Sequence, residues 1–401
     1  MFLVNRHPDY RTRLASIDAE TLGIAAAREV DRFLGHRDNH TETPLQTLPG
    51  LAAELGLAEL HIKDEGHRLG LGSFKALGGS YAVIRLVLEE SSRRLGRTID
   101  VGELHDAAVK AIAATMTFAC ATDGNHGRSV AQGAALVGAR SVIFVHGGVS
   151  DQRVAAIARF GAEMVRVDGT YDDSVVEAAR VAGEKSWTIV SDTSWPGYER
   201  IPLLVMQGYT AIVHEALRQL AEPPTHVFVQ AGVGGIAAAV AGHLALVLGD
   251  RRPLFVVVEP ARAACLLETA KAGHIVKIAH GEPTVMAMLE CYEPSQVAWR
   301  ILARAADAFM TVDEDEAIAA MNRLARPVAQ DPAIVGGESG VAGLAGLMRA
   351  ATMADIGAKL ALDRSSRVLV INTEGATDPV RYTELVGLDP ATLRPSSGQT
   401  G

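Results

Sequence analysis

The chain has 401 residues, 48% of them hydrophobic and 21% charged, so it can bury a large core, and global disorder is excluded. Its formal net charge is −9, with no Lys/Arg run interleaved with aromatics, which argues against nucleic acid as a partner. Aromatics make up only 5%, and Ala, Val and Leu carry much of the apolar content, a mixture suited to helices layered closely on sheets.

The opening Met1-Phe-Leu-Val-Asn-Arg-His-Pro8 lacks the apolar core of a signal peptide. The most apolar stretch, residues 234–249, contains His243 and is too short to cross a membrane. Cys120, Cys265 and Cys291 have no metal-ligand spacing and make no disulfide framework. Buried thiols are the expected state, with a Cys265–Cys291 bridge left open. A cytoplasmic globular protein without a metal site is expected.

Residues 1–50 read as a polar lead-in punctuated by Pro44 and Pro49. Beyond them, short β-branched runs alternate with helical periodicity. Strand 60–63 precedes a helix over 73–94, with Leu77, Tyr81, Ile84 and Leu88 on one face. Strand 115–120 leads to helix 124–137, strand 141–145 to helix 151–160, strand 164–167 to helix 172–184, and strand 187–190 follows. A second set comprises helix 202–220, strand 226–229, helix 235–248, strand 254–258, helices 314–326 and 339–351, and strand 367–372. This alternation predicts an α/β protein of two domains, with parallel sheets covered by helices on both faces and a crevice between them. Residues 390–401 look disordered.

Ligands of open α/β sheets bind where strand-to-helix turns converge, and four such turns carry suitable chemistry. Lys75, in Gly70-Leu-Gly-Ser-Phe-Lys-Ala-Leu-Gly-Gly79, follows a glycine-softened turn at a helix start. That end is electropositive, so the ammonium should lose its proton easily, as an imine-forming lysine must. A solvated surface lysine is the plainer alternative. In Ala121-Thr-Asp-Gly-Asn-His-Gly127, the Thr122 hydroxyl and nearby N–H groups could hold a carboxylate, and Asn125 a ring oxygen. Asp123 reads more simply as a helix N-cap, and His126 as a packed, hydrogen-bonded side chain.

The loop Gln230-Ala-Gly-Val-Gly-Gly235 offers the amides of Gly232, Val233, Gly234 and Gly235 to a phosphate, or is merely a tight turn. No Walker lysine follows it, and the dinucleotide glycine fingerprint is missing. Thr373 offers a neutral hydroxyl to a ring nitrogen. Asp192 faces the crevice or forms an Asx-turn ahead of Pro196. Glu338-Ser-Gly340 is a weaker fifth candidate, also readable as a helix cap.

An amine, a phosphate cup and an Asn-bearing anion turn together describe a pyridoxal phosphate site. Ser73-Phe-Lys75, the Gly-Asn-His turn at 124–126 and the Gly-Val-Gly-Gly loop resemble the fold-type II pyridoxal phosphate enzymes, with a tryptophan synthase β-like fold. Lys63-Asp-Glu-Gly-His-Arg68, Ala121-Thr-Asp-Gly-Asn-His-Gly-Arg128, Ser191-Asp-Thr-Ser-Trp195 and Asn372-Thr-Glu-Gly375 resemble the diaminopropionate ammonia-lyases, over residues 40–385. The segment Met286-Ala-Met-Leu-Glu-Cys-Tyr292 departs from that pattern and bears on the substrate.

The resemblance implies a large cofactor-binding domain (1–85 and 201–401), a small α/β domain (86–200) and a homodimer. It implies α,β-elimination of D- and L-2,3-diaminopropionate to pyruvate and two ammonia. Lys75 would anchor pyridoxal 5'-phosphate and act as base for the L-isomer, with Phe74, Asn125, residues 232–235 and Thr373 around the cofactor. Asp123 would take the Cα proton of the D-isomer, and Asp192 would help bind the second amine. Ser73, Thr122, Gly124 and His126 would complete the amino-acid site. A serine/threonine or hydroxyamino-acid dehydratase is the nearest alternative. A non-catalytic ligand-binding module is the alternative from another class.

Overall fold

The computed structural model describes residues 1–122 and 124–393. Its strands are β1 (Phe2–Val4), β2 (Leu45–Thr47), β3 (Glu59–Asp64), β4 (Thr117–Ala121), β5 (Arg140–His146), β6 (Glu163–Val167), β7 (Thr188–Ile189), β8 (His226–Gln230), β9 (Leu254–Pro260), β10 (Ala308–Val312) and β11 (Arg367–Asn372). They form a seven-stranded sheet of order β1-β10-β9-β8-β11-β3-β2 and a four-stranded sheet of order β6-β5-β4-β7. Every pairing is parallel except those of the edge strands β1 and β2.

Helices cover both faces of the large sheet because its strands are apolar on both. Val227 and Val229 of β8 face one core with Val257 and Leu369. Phe228 between them faces the other with Val256, Val258 and Val370, as the two-residue period of a strand requires. The first core runs on into the small sheet through Phe118, Cys120, Ile143 and Val145. The helix Lys75–Leu95 lies in this shared core, so its first residue is held between the sheets.

Glycines set how closely its neighbours approach. A Cβ on Gly78 would sit 2.5 Å from the Tyr209 ring, and one on Gly208 2.7 Å from Leu77 O. A Cβ on Gly133 would sit 2.7 Å from Ser80 Cα. The helices Arg200–Gln219 and Asn125–Val137 therefore meet the lysine helix almost backbone to backbone.

The first fifty residues are more ordered than their composition predicts. β1 pairs with β10 and β2 with β3, and helices Ser16–Leu22 and Ile24–Gly35 lie between them. The second helix buries Ala26, Ala27, Val30, Phe33 and Leu34 at helical spacing, with Arg28, Glu29, Asp31 and Arg32 between them on the outer face, a periodicity that the reading of a polar lead-in overlooked. Helix Gln296–Ala305 and strand β10 also form where no element is predicted. The expected tail disorder fails at its start, where Pro390–Thr392 makes a helical turn capped by Asp389 and Leu393 packs on the core. Residues 394–401 lie outside the described residues.

Candidate active site

All the parallel strands of the large sheet deliver their carboxyl ends to one side, and the turns that follow β3, β8 and β11 are tied together there. The main chain of Ser73 bridges Glu374, and Phe74 N donates to Thr373 O at 2.9 Å. Gln230 Nε2 donates to Thr373 Oγ1 at 2.8 Å and to Ile371 O at 3.0 Å. The chain reaches Lys75 through Gly72 at φ +78°, a left-handed turn that glycine adopts without strain.

Lys75 is the first residue of its helix and pairs with Asp192, which follows β7. Asp192 is thus in the crevice, not turned away in an Asx-turn. The pairing corrects the expectation of an easily lost proton. Burial works against the ammonium, but the Asp192 carboxylate beside it lifts its pKa above that of an ordinary lysine. Burial likewise penalises the Asp192 carboxylate, and the Lys75 charge overrides it to hold that group well below the usual range. The partial charge of a helix end loses to a full charge in contact. Phe74 packs against Tyr209 with centroids 4.8 Å apart and the rings tilted at 56°, and the Lys75 ammonium lies 5.6 Å from the Phe74 ring centre.

The loop after β8 has the features a phosphate needs. The amides of Gly232, Val233, Gly234 and Gly235 make no hydrogen bond among the described residues, and they lead into the 14-residue helix Gly235–Leu248. A Cβ on Gly235 would lie 3.8 Å from Asp192 O and 3.9 Å from Met206 and Tyr209, so the space beside this loop opens toward Lys75 and its partner. A donor-rich cradle, an amine across from it and a neutral hydroxyl at Thr373 fit pyridoxal phosphate.

The turn after β4 is organised from within. Thr122 Oγ1 accepts from Gly124 N at 3.1 Å and Gly127 N at 3.3 Å, and any Cβ on Gly127 would overlap Thr122 Cγ2. Gly124 is the N-cap of the helix Asn125–Val137. Asp123 lies outside the described residues. His126 Nε2 donates to Val190 O at 2.9 Å, and burial lowers its pKa, so it is a neutral, packed side chain. Ser73 is 1% exposed, and its hydroxyl has no partner among the described residues.

Glu374 has no role in the sequence reading, although it lies inside the Asn372-Thr-Glu-Gly375 motif. Its Oε2 accepts from Asn125 Nδ2 at 2.9 Å. Burial, and the Glu338 carboxylate nearby, push its pKa up to about 8. The available signal was a carboxylate directly after a buried strand, beside a predicted site residue. Glu338 itself is raised by burial. Met288, in the departing segment, reaches the same region, its Sδ 3.7 Å from where a Gly124 Cβ would be. Cys291 lies over the phosphate loop, 2.8 Å from the Cβ position of Gly232, while Cys265 Sγ lies 3.7 Å from Gly232 O. Cys265 and Cys291 are not bridged.

The model of the pyridoxal-phosphate dependent enzymes matches residues 36–374. The chain belongs to this family. It is 40% identical over 352 residues to the diaminopropionate ammonia-lyase of Escherichia coli K12, covering 86% of this chain and 87% of that one. The crystal structure of the E. coli enzyme in complex with an aminoacrylate-PLP azomethine reaction intermediate superposes with a TM-score of 0.86 at 35% identity, covering 96% of each chain. The same enzyme in complex with D-serine gives the same TM-score, identity and coverage. The family fold, with parallel sheets covered on both faces, and its cofactor are therefore those of this enzyme too. No helix among the described residues is long and apolar enough to cross a membrane.

Proposed function

We propose that the protein is a pyridoxal phosphate-dependent carbon–nitrogen lyase that eliminates ammonia from 2,3-diaminopropionate, D and L, to give pyruvate and two ammonia. The single observation that carries this reading is the 40% identity to the E. coli ammonia-lyase across 86% of the chain. The unpartnered amides of residues 232–235 facing the Lys75–Asp192 pair support it from within the chain. The dehydratase alternative is not favoured.

Pyridoxal phosphate supplies an electron sink for the pair left when a Cα–H bond breaks. The amides of Gly232, Val233, Gly234 and Gly235 would hold its phosphate, Phe74 and Asn125 would border its ring, and Thr373 would meet the ring nitrogen with a neutral hydroxyl. Thr373 Oγ1 already accepts from Gln230, which leaves its own hydrogen to donate. A neutral partner suits elimination, because a carboxylate there would protonate the ring and prolong the carbanion.

Bonding to the cofactor carbonyl strips Lys75 of its ammonium proton, so the amine freed when substrate takes its place is neutral and would take the Cα proton of the L-isomer, while Asp123 would take that of the D-isomer. The 122–126 turn, with Ser73, Thr122, Gly124 and His126, receives the substrate carboxylate, and Asp192 holds the second amine. The proton that Lys75 takes from Cα, or one held on the cofactor phosphate, would pass to that amine so that it leaves as ammonia, and water would hydrolyse the released aminoacrylate to pyruvate and the second ammonia. We read the chain as a large domain of residues 1–85 and 201–401 and a small one of residues 86–200. It works as a cytoplasmic homodimer on a small amino acid, with no nucleic-acid partner.

The test is release of pyruvate and ammonia from D- and L-2,3-diaminopropionate, with L-serine and L-threonine alongside. Two ammonia per pyruvate from both isomers, with slow hydroxyamino acids, is the expected result; turnover of the hydroxyamino acids alone would make the enzyme a dehydratase. Asp123→Asn is expected to lower D-isomer turnover by about 100-fold while sparing the L-isomer, the range of one general base. Equal loss on both isomers would remove the two-base assignment.

A further inference from the structure

A cleft of about 340 Å³ opens beside the site, bounded by Gly124 and Asn125 on one side and by the chain after Glu374 on another. Three arginines line it: Arg128, Arg153 and Arg159. Arg153 lies on the helix Asp151–Ala158, and Arg159 follows its last turn. Arg153, Ala156 and Arg159 are spaced by three residues, which keeps them on one face of the helix. Arg128 comes from the helix that begins at Asn125.

None of the three guanidinium groups forms an ion pair or donates a side-chain hydrogen bond among the described residues; Arg159 only stacks on Phe160, 4.8 Å from the ring centre. Arg128 Nε is buried without a partner among the described residues. Burial lowers the Arg128 pKa and Arg159 lowers it further, as like charges placed together must. Among the described lining residues Asp378 is the one carboxylate, so the three guanidinium groups outnumber it, and burial pushes up Glu338 and Glu374, which feel Arg153. The buried, unpartnered Arg128 guanidinium beside a like charge is stabilised by an anion among the three, and their planar donors match an oxyanion.

We propose that Arg128, Arg153 and Arg159 form an anion site at the mouth of the cleft, separate from the phosphate loop, that takes a small carboxylate or an oxyanion of similar size. Two sources share that chemistry. One is the carboxylate of the substrate or product in transit to or from Lys75, which rests on the lyase reading above. The other is an effector anion that binds independently of turnover.

The test titrates the holoenzyme, whose phosphate loop is filled by cofactor, with sulfate and reads the heat of binding and the cofactor absorbance. Saturable binding is expected, weakened about tenfold in Arg153→Gln and again in Arg159→Gln, with the absorbance unchanged. Both side chains are at least partly solvated, so neither substitution empties a core position. Sulfate that competes with diaminopropionate assigns the site to substrate in transit; sulfate that changes turnover without competing assigns it to an effector. The absence of saturable binding, or binding indifferent to both substitutions, overturns the proposal. The heat measurement needs no turnover, so its failure is distinct from a failure of the lyase assignment.

Discussion

Lys75→Ala is expected to yield a folded protein to which borohydride fixes no cofactor, with turnover lower by about three orders of magnitude or more. The side chain is only partly enclosed, so its loss leaves a small space in the crevice and the fold survives. No other lysine can substitute from nearby. Lys63 is buried with its Nζ already donating to Thr43 O at 2.7 Å, Glu215 Oε2 at 2.8 Å and Gln219 Oε1 at 3.0 Å. The variant also removes the cation that holds Asp192 ionised, so burial is left as the dominant influence and Asp192 should titrate higher than in the native protein. Mass spectrometry after borohydride treatment, together with steady-state pyruvate release, checks the prediction. A cofactor still covalently fixed in the variant would mean that the anchor is elsewhere.

Glu215→Ala is expected to cost about 3–5 kcal/mol of stability, because it strips a buried ion network of its shared anion. Glu215 accepts from Arg68 Nη1 at 2.8 Å, from Arg68 Nη2 at 2.7 Å and from Lys63 Nζ at 2.8 Å. Arg68 also donates to both oxygens of Glu65 at 2.8 Å. These side chains are at most 1% exposed, so the variant leaves cationic groups under-compensated in the interior. The network also clamps the start of the Lys75 loop to the helix Arg200–Gln219, so the loss should reach the site.

The pH dependence has a definite sign. Burial alone would raise Glu215, but Arg68 and Lys63 overrule it and hold its pKa below the usual range. A depressed carboxylate contributes stability that is present above its unfolded value of about 4.3 and is lost as pH falls through the folded one. The gap between native protein and variant, measured by denaturant unfolding, should therefore be full at pH 7 and narrow below about pH 4. A gap independent of pH down to 3 would show that packing, not charge, carries the cost.

The parts of the site legible in sequence were those that a short stretch of chain settles. Apolar runs with glycine-rich turns marked β3, β4, β8 and β11 and the helices after the first three, though not the helix Pro379–Val386 after β11, and those turns carry Lys75, Thr122, Asn125, the 232–235 loop and Thr373. The Lys63–Arg68 motif was recognisable by resemblance, but its physical work was not. Its partner Glu215 lies 147 residues from Arg68, and a glutamate within a helix carries no local sign of being an internal counter-ion. Glu374 was passed over for the same reason, being paired with Asn125 across 249 residues.

By itself, the sequence determined the alternation of strands and helices, the positions of the strand-to-helix turns proposed to hold the ligand, and the class of cofactor chemistry. These follow from the period of apolar residues and from backbone freedom at glycine, which act over a few residues. Only the tertiary structure decided the charge state of Lys75, the neutrality of His126, the edge strands formed by the first fifty residues and the gathering of three arginines beside the cofactor turn. Each depends on a long-range contact or on burial. Inside a protein, a full charge at contact distance outweighs the local helix field from which sequence alone must reason.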